Sequence, residues 1–302
     1  MNVQWSQGQP FALALSHDVD RVRKRAQFLY YPVRAMLNRS ANAMRKELQS
    51  AKRLICGDDP YWNFDRIMEL EDSLGVRSTL FFMDEQGQPR LTNLKSQILY
   101  RGRYTLDEVP IQKAIQTLDA NGWEIGLHGS YESYNNPSLL SREKIKLEGI
   151  LGHPVHGTRQ HYLRLDIPDT WHLHNQLGFV YDSTLGYTDK VGFRWDRYTP
   201  FYPTDPSTGE KIPILQIPMV IMDTPLLQCP DPWSSALTLI KRAEAENGVL
   251  TLNWHQRVFN PWDMQAYQDM YVRIIQECQN RGAWVGPMGQ VAQTWTNVVN
   301  RG

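Results

Sequence analysis

Asp18 and Asp20 flank Val19 just past the apolar run at 11–15. In an extended strand residues i and i+2 point to the same side, so the two carboxylates face one way. At the mouth of an α/β sheet or barrel such a pair can divide its work, one group holding a metal ion and the other activating a water. Aspartates also cap helices, and a solvated turn is the plainer reading of the pair alone. Three further polar clusters weigh against that reading, because 124–134, 157–164 and 250–257 also coincide with the ends of apolar runs.

Each cluster offers a defined chemistry. His128 follows Trp-Glu-Ile-Gly-Leu and precedes Gly129, where the backbone can bend and present the ring. Arg159 and His161 alternate along an extended segment and share a face. An arginine there can orient a catalytic carboxylate through a bidentate pair and keep it ionised. His255 closes Leu-Thr-Leu-Asn-Trp-His. A buried imidazole at a strand end needs a partner, and it suits a general acid better than a core position. His153, His156, His172 and His174 fall in loops or on helix surfaces and read as incidental.

Strand-like and helix-like segments must position these groups, and they alternate along almost the whole chain. Helical spacing at 64–74, 111–120, 141–151, 169–177, 234–246, 264–280 and 290–299 is interleaved with strand-like runs near 11–15, 77–83, 123–127, 155–158, 179–182, 249–254 and 283–285. Repeated β-then-α units imply parallel strands with right-handed crossovers, hence an α/β fold, a closed or nearly closed (β/α) barrel. No internal repeat or low-complexity linker divides residues 1–302, so one domain is expected.

Composition agrees. A chain of 302 residues with 41% hydrophobic content supports a full core. Thirty-two basic and thirty-two acidic side chains give no global pull toward nucleic acid or membrane. Ten Trp and fourteen Tyr suit a cleft that stacks on sugar rings, although core packing uses aromatics equally. Cys56, Cys229 and Cys278 lack metal-ligand spacing and form no disulfide framework. The first ten residues lack a basic start followed by an apolar stretch, and no segment has the roughly 20 apolar residues of a spanning helix. The expected setting is soluble and cytoplasmic.

Two segments break the β/α rhythm. Residues 21–53 carry ten Lys or Arg against one acid, Glu47, and read as one or two helices inserted at about 21–58. A solvated helical excursion is the simple account; a basic lid for an anionic substrate or a lipid surface is the functional one. The Pro-, Tyr- and Trp-rich stretch 193–217, within an insertion at about 190–217, reads as a long loop or hairpin over the same barrel end.

In order, these clusters resemble the polysaccharide deacetylases, the NodB-homology or carbohydrate esterase family 4 proteins. Ser16-His17-Asp18-Val19-Asp20 is similar to an Asp-x-Asp variant of the first family motif, and Thr79–Met83 to the strand after it. His128 matches the first histidine of the second motif, with Glu132 standing where the family has its second. Arg159-Gln160-His161-Tyr162 resembles Arg-x-Pro-Tyr with His for Pro, Asp182-Ser183 with Tyr187 the fourth motif, and Leu252-Asn253-Trp254-His255 the fifth.

The resemblance implies a distorted seven-stranded barrel and a hydrolase of non-peptide carbon–nitrogen bonds. It implies one divalent ion, zinc, on Asp20 and His128; His161, at a position where the family has no histidine, is expected to supply the missing third ligand, with Glu132 or Ser130 as alternatives. Asp18 would be the base, held by Arg159, and His255 the acid, kept charged by Asp182. The Tyr162 backbone N–H would serve the oxyanion, with Tyr162, Tyr187 and Trp254 against the sugar. The expected reaction removes an N-acetyl group from an amino sugar of a polysaccharide or its intracellular, carrier-linked and anionic precursor, with peripheral membrane contact and no nucleic acid. Hydrolysis of an imide or formamide, or noncatalytic carbohydrate binding, are the alternatives.

Overall fold

The computed structural model describes residue 5 and residues 8–24, 27–89, 92–260, 262 and 264–299. Arg25 of the basic stretch and most of the first seven residues lie outside them. The central strand is β1 (Ala12–Val19), all of whose residues are buried. On one side follow β2 (Thr79–Phe82), β3 (Glu124–Gly129), β4 (Gly157–Gln160), β5 (Tyr181–Asp182) and β6 (Leu215–Gln216), in chain order. On the other, β1 pairs with β8 (Val249–Asn253), and β8 with β7 (Ile221–Met222). β9 (Trp284–Pro287) pairs with the first half of β1. Every pairing is parallel, so all carboxyl ends open at one mouth.

The sheet is a curled, barrel-like α/β layer of nine strands rather than seven. Its path runs from β6 to β7, and among the described residues these two do not pair, so the barrel is open there. β5, β6 and β7 are two residues long, too short to show a period in sequence. Antiparallel bridges Thr204–Lys211 and Phe201–Gln216 fold the chain back on itself between β5 and β6.

The basic insertion forms two helices, α1 (Gln27–Leu37) and α2 (Ala41–Ile55). After them α3 (Phe64–Leu74) ends at Gly75, whose φ of 65° is left-handed and open to glycine without steric cost. α3 also carries Glu71, which is fully buried. His17 Nε2 lies 2.8 Å from one of its oxygens, the Tyr271 hydroxyl donates to the same oxygen at 2.6 Å, and Trp123 Nε1 donates to the other at 2.7 Å. These partners compensate the desolvation of the carboxylate. His17 Nδ1 meets the Trp254 carbonyl at 2.6 Å, so this network braces β1 and the end of β8 directly beneath Asp18 and His255.

Candidate metal centre

Asp18 leaves the carboxyl end of β1 buried, with both oxygens engaged. Arg159 Nη1 donates to Oδ1 at 2.8 Å and Asn253 Nδ2 donates to Oδ2 at 2.7 Å. The contact is one hydrogen bond rather than the expected bidentate fork. The remaining donors of Arg159 reach the Ser183 carbonyl, the Ser183 hydroxyl and the Ser16 hydroxyl, and its guanidinium lies over the Phe81 ring. Burial pushes the Asp18 carboxyl up, but Arg159, His128 and His255 outweigh it and hold Asp18 well below the usual carboxylate range.

Asp20 has different neighbours. Arg257 Nη1 donates to Oδ2 at 2.9 Å, while Oδ1 is buried with no hydrogen-bond partner. Facing Oδ1 are His161 Nδ1 at 3.2 Å and His128 Nε2 at 3.4 Å. Ligand atoms of Asp20, His128 and His161 lie within 4.8 Å of one another, all three residues buried. His128 Nδ1 donates to the Arg159 carbonyl at 2.8 Å, which in a neutral ring leaves the Nε2 lone pair aimed at Asp20. An orphan carboxylate oxygen beside an imidazole lone pair is what a cation between them would satisfy, so the donor set fits a divalent ion. His161 is desolvated by burial, and despite Asp20 its pKa is lowered to about 4, leaving the ring neutral. Arg103 Nη2 donates to its Nε2 at 2.9 Å, which places the ring proton on Nδ1, 3.1 Å from His128 Nε2. To hold an ion through Nδ1, His161 would have to give up that proton, and its Nε2 could then no longer accept from Arg103.

The other candidates for a third ligand point elsewhere. Glu132 is exposed and 3.4 Å from Arg164 Nη1. Ser130 is buried and donates its hydroxyl to Glu143 Oε1 at 2.5 Å and its N–H to Oε2 at 3.2 Å. Glu143 thus pins the turn that presents His128. Burial pushes its carboxyl up to about 7 against the Ser130 bonds. Between an ordinary glutamate value of 4.5 and about 7, the folded protein keeps a proton that the unfolded chain has lost. That contribution is complete below the lower value and disappears as pH rises through the upper. Glu143→Gln, whose carbonyl can take the Ser130 N–H and whose amide can reach the hydroxyl, is expected to gain on the order of 3 kcal/mol over the parent at pH 8 and little at pH 4.5. Urea melts at the two pH values check this; an equal difference at both would show that Glu143 is ionised throughout.

His255 follows β8 at the opposite wall. Its Nδ1 lies 2.7 Å from Asp223 Oδ2, which also accepts its backbone N–H at 2.6 Å, and its Nε2 stands 3.7 Å from Asp20 Oδ2. Asp223 is fully buried, and His255 outweighs that burial to keep its pKa below the usual carboxylate value. Asp182, expected to hold His255 charged, does not take that place. It accepts the Thr184 hydroxyl and N–H, and its Oδ2 lies 3.8 Å from His174 Nδ1. His174 is itself buried and bonded to Gln160 at 2.9 Å, not a surface residue.

A cavity of about 500 Å³ opens onto these groups. Asp18, Asp20, His128, His161 and His255 line it together with Arg21, Arg103, Arg257, Tyr162 and Asp189. Tyr162 is 46% exposed, at a left-handed backbone position with φ of 57°. Trp254, expected against a sugar, is fully buried, packs near Tyr271 and donates to the Tyr267 carbonyl. Tyr187 is half-buried with Lys190 over its ring and is not among the residues lining the cavity. Asp223, Asn253, Arg103 and Arg257 complete the site and were not singled out from sequence. Asp223, like Asp20, is a carboxylate just past a strand, but its strand is only Ile221–Met222, too short to show a pattern in sequence.

No family model and no curated protein matches the chain. Solved structures do. A protein assigned as a polysaccharide deacetylase from Mycobacterium smegmatis aligns with a TM-score of 0.58 at 18% identity, over 97% of this chain and 92% of that one. Puue allantoinase aligns with a TM-score of 0.60 at 16% identity, over 97% and 92%. A protein assigned as a polysaccharide deacetylase from Pseudomonas aeruginosa gives 0.59 and 18%, over 96% and 92%. The fold is therefore that of polysaccharide deacetylases and of an allantoinase.

Proposed function

We propose that the chain is a metal-dependent amidohydrolase that removes an N-acyl group, acetyl, from an amino sugar. The observation that carries this reading is the division of labour at one strand end. Asp18 is tied to Arg159 and Asn253, whereas Asp20 keeps an orphan oxygen toward two imidazoles. Asp20, His128 and His161 would hold the ion, zinc in this reading. A divalent ion there supplies polarisation of the acyl carbonyl and a lower pKa for water. Asp18, ionised under Arg159, takes a proton from the attacking water. The Tyr162 backbone N–H is assigned to the developing oxyanion, and His255, positioned by Asp223, delivers a proton to the departing amine.

Arg21 and Arg257 in the cavity wall favour a substrate that also carries a carboxylate or phosphate, as a carrier-linked sugar does. Three free cysteines suit a reducing compartment such as the cytoplasm, where such precursors are built. Hydrolysis of another carbon–nitrogen bond, an imide or formamide, is the second reading, favoured by the allantoinase likeness.

The test is metal content of the purified protein, then acetate release from N-acetylated amino sugars with and without chelator. Chelator-sensitive acetate release supports the first reading; turnover of cyclic imides alone supports the second; activity on neither supports a carbohydrate-binding role. His161→Ala is expected to reduce metal occupancy sharply, and Glu132→Ala to leave it unchanged. The reverse pattern would move the third ligand to Glu132.

A further inference from the structure

Among the described residues twelve large apolar side chains are exposed, and six of them, Val33, Met36, Leu37, Leu48, Leu54 and Ile55, lie on α1 and α2. Leu37 is 74% and Ile55 86% exposed. A concentration of this kind within 23 residues is unlike the scattered apolar groups of an ordinary surface. On α2 the spacing of Arg45, Leu48, Lys52 and Ile55 puts cations and apolar groups on one outward face, all exposed. Arg39, between the helices, is exposed too.

The only acid of the basic stretch does not soften this face. Glu47 turns inward, where Lys24 Nζ meets it at 2.9 Å, and Lys24 also donates to Ser50 at 3.0 Å. Lys24 is buried against α2 and Arg23 is bonded to Glu108, so neither contributes to the outer surface as a substrate clamp would. The base of the hairpin is thus locked by its own ion pair, and its outer side presents cations and hydrophobes without a carboxylate.

We propose that the α1–α2 hairpin docks the protein on an anionic lipid surface, its apolar side chains entering the headgroup boundary and its cations pairing with lipid phosphates. A second copy of the chain is a poor occupant, because a two-fold contact would set the same cationic patch against itself. A bilayer rich in acidic headgroups supplies both the apolar depth and the opposite charge. The position of the hairpin gives the docking a use. A cavity of about 570 Å³ between the hairpin and the barrel, lined by Tyr31, Ala35, Glu47 and Tyr61, shares Arg257 with the site cavity. A docked protein would hold that passage next to the membrane. The docking rests on the hairpin alone and does not depend on the reaction assigned to the site.

Co-sedimentation of the full chain with vesicles of phosphatidylcholine, alone or mixed with phosphatidylglycerol, tests it. Binding is expected to the mixed vesicles only and to fall with salt. Arg45→Gln with Lys52→Gln, and separately Leu48→Gln with Ile55→Gln, are each expected to weaken it by about tenfold or more. These substitutions lie on the surface, and unchanged melting of both variants would confirm that the fold is kept. Absence of binding to the mixed vesicles at low salt, or binding that neither pair of substitutions alters, overturns the proposal. So does a dimer in solution that the Leu48 and Ile55 changes split, which would show that a second copy covers this face.

Discussion

Asp18→Asn is expected to abolish turnover and weaken the fold while leaving a divalent ion bound. Arg159 is fully buried, and among the described residues its one carboxylate partner is Asp18. Removing that negative charge leaves a guanidinium in the interior with only neutral oxygens around it, and breaking a buried pair from one side costs about 3–5 kcal/mol. The amide would also turn its NH2 toward either Arg159 or Asn253, donor against donor, because both now donate to the carboxylate. On the chemical side an amide cannot accept a proton from water, so the rate should fall by at least about 10²–10⁴-fold, the span attributed to a positioned general base. Metal content, kcat and a urea melt of one preparation separate the effects. Loss of the ion together with activity would mean that Asp18 is a ligand and that the roles of Asp18 and Asp20 are exchanged.

The mouth was legible in sequence because period-2 alternation and strand-end position decide which side chains converge. Asp18 with Asp20, and Arg159 with His161, are i and i+2 pairs, and parallel pairing of β1 to β4 then brings the strand ends together. The same rule, applied further, corrects the reading of Trp254. Asn253 and His255 share the face toward the mouth, so Trp254 between them must point the opposite way, into the core. His174 falls to the same kind of argument: Thr170, Trp171 and His174 are one helical face, and all three are buried.

The partners were the illegible part. Asp223 lies 32 residues before His255, Arg103 58 residues before His161, and Asn253 235 residues after Asp18. No local period links such pairs. The two-residue strands that place Asp182 and Asp223 carry too little pattern to reveal which of the two aspartates reaches the histidine. Chain topology decides it: β7 pairs with β8, the strand that His255 follows, whereas β5 sits on the far side of β4.

That placement makes Asp223→Asn the sharpest probe of the acid. Asp223 Oδ2 receives both the backbone N–H and the Nδ1–H of His255. This double contact fixes the orientation of the ring and leaves Nε2 turned toward Asp20, 3.7 Å away. An asparagine oxygen can still accept one of these bonds, so the ring should stay near its place while losing the second bond and the negative charge beside it. The rate is expected to fall by about 10²–10⁴-fold, comparable with His255→Ala. The double variant should be little slower than either single one, because two residues that act as a unit are not additive. Asp182→Asn, by contrast, should leave the pH–rate profile where it was, its carboxylate being committed to Thr184 two residues on, away from His255. A pH–rate profile that shifts in Asp182→Asn and not in Asp223→Asn would return the orienting role to Asp182. If instead the losses from His255→Ala and Asp223→Asn multiply in the double variant, the two residues act separately, and Asp223 does not work through the ring it touches.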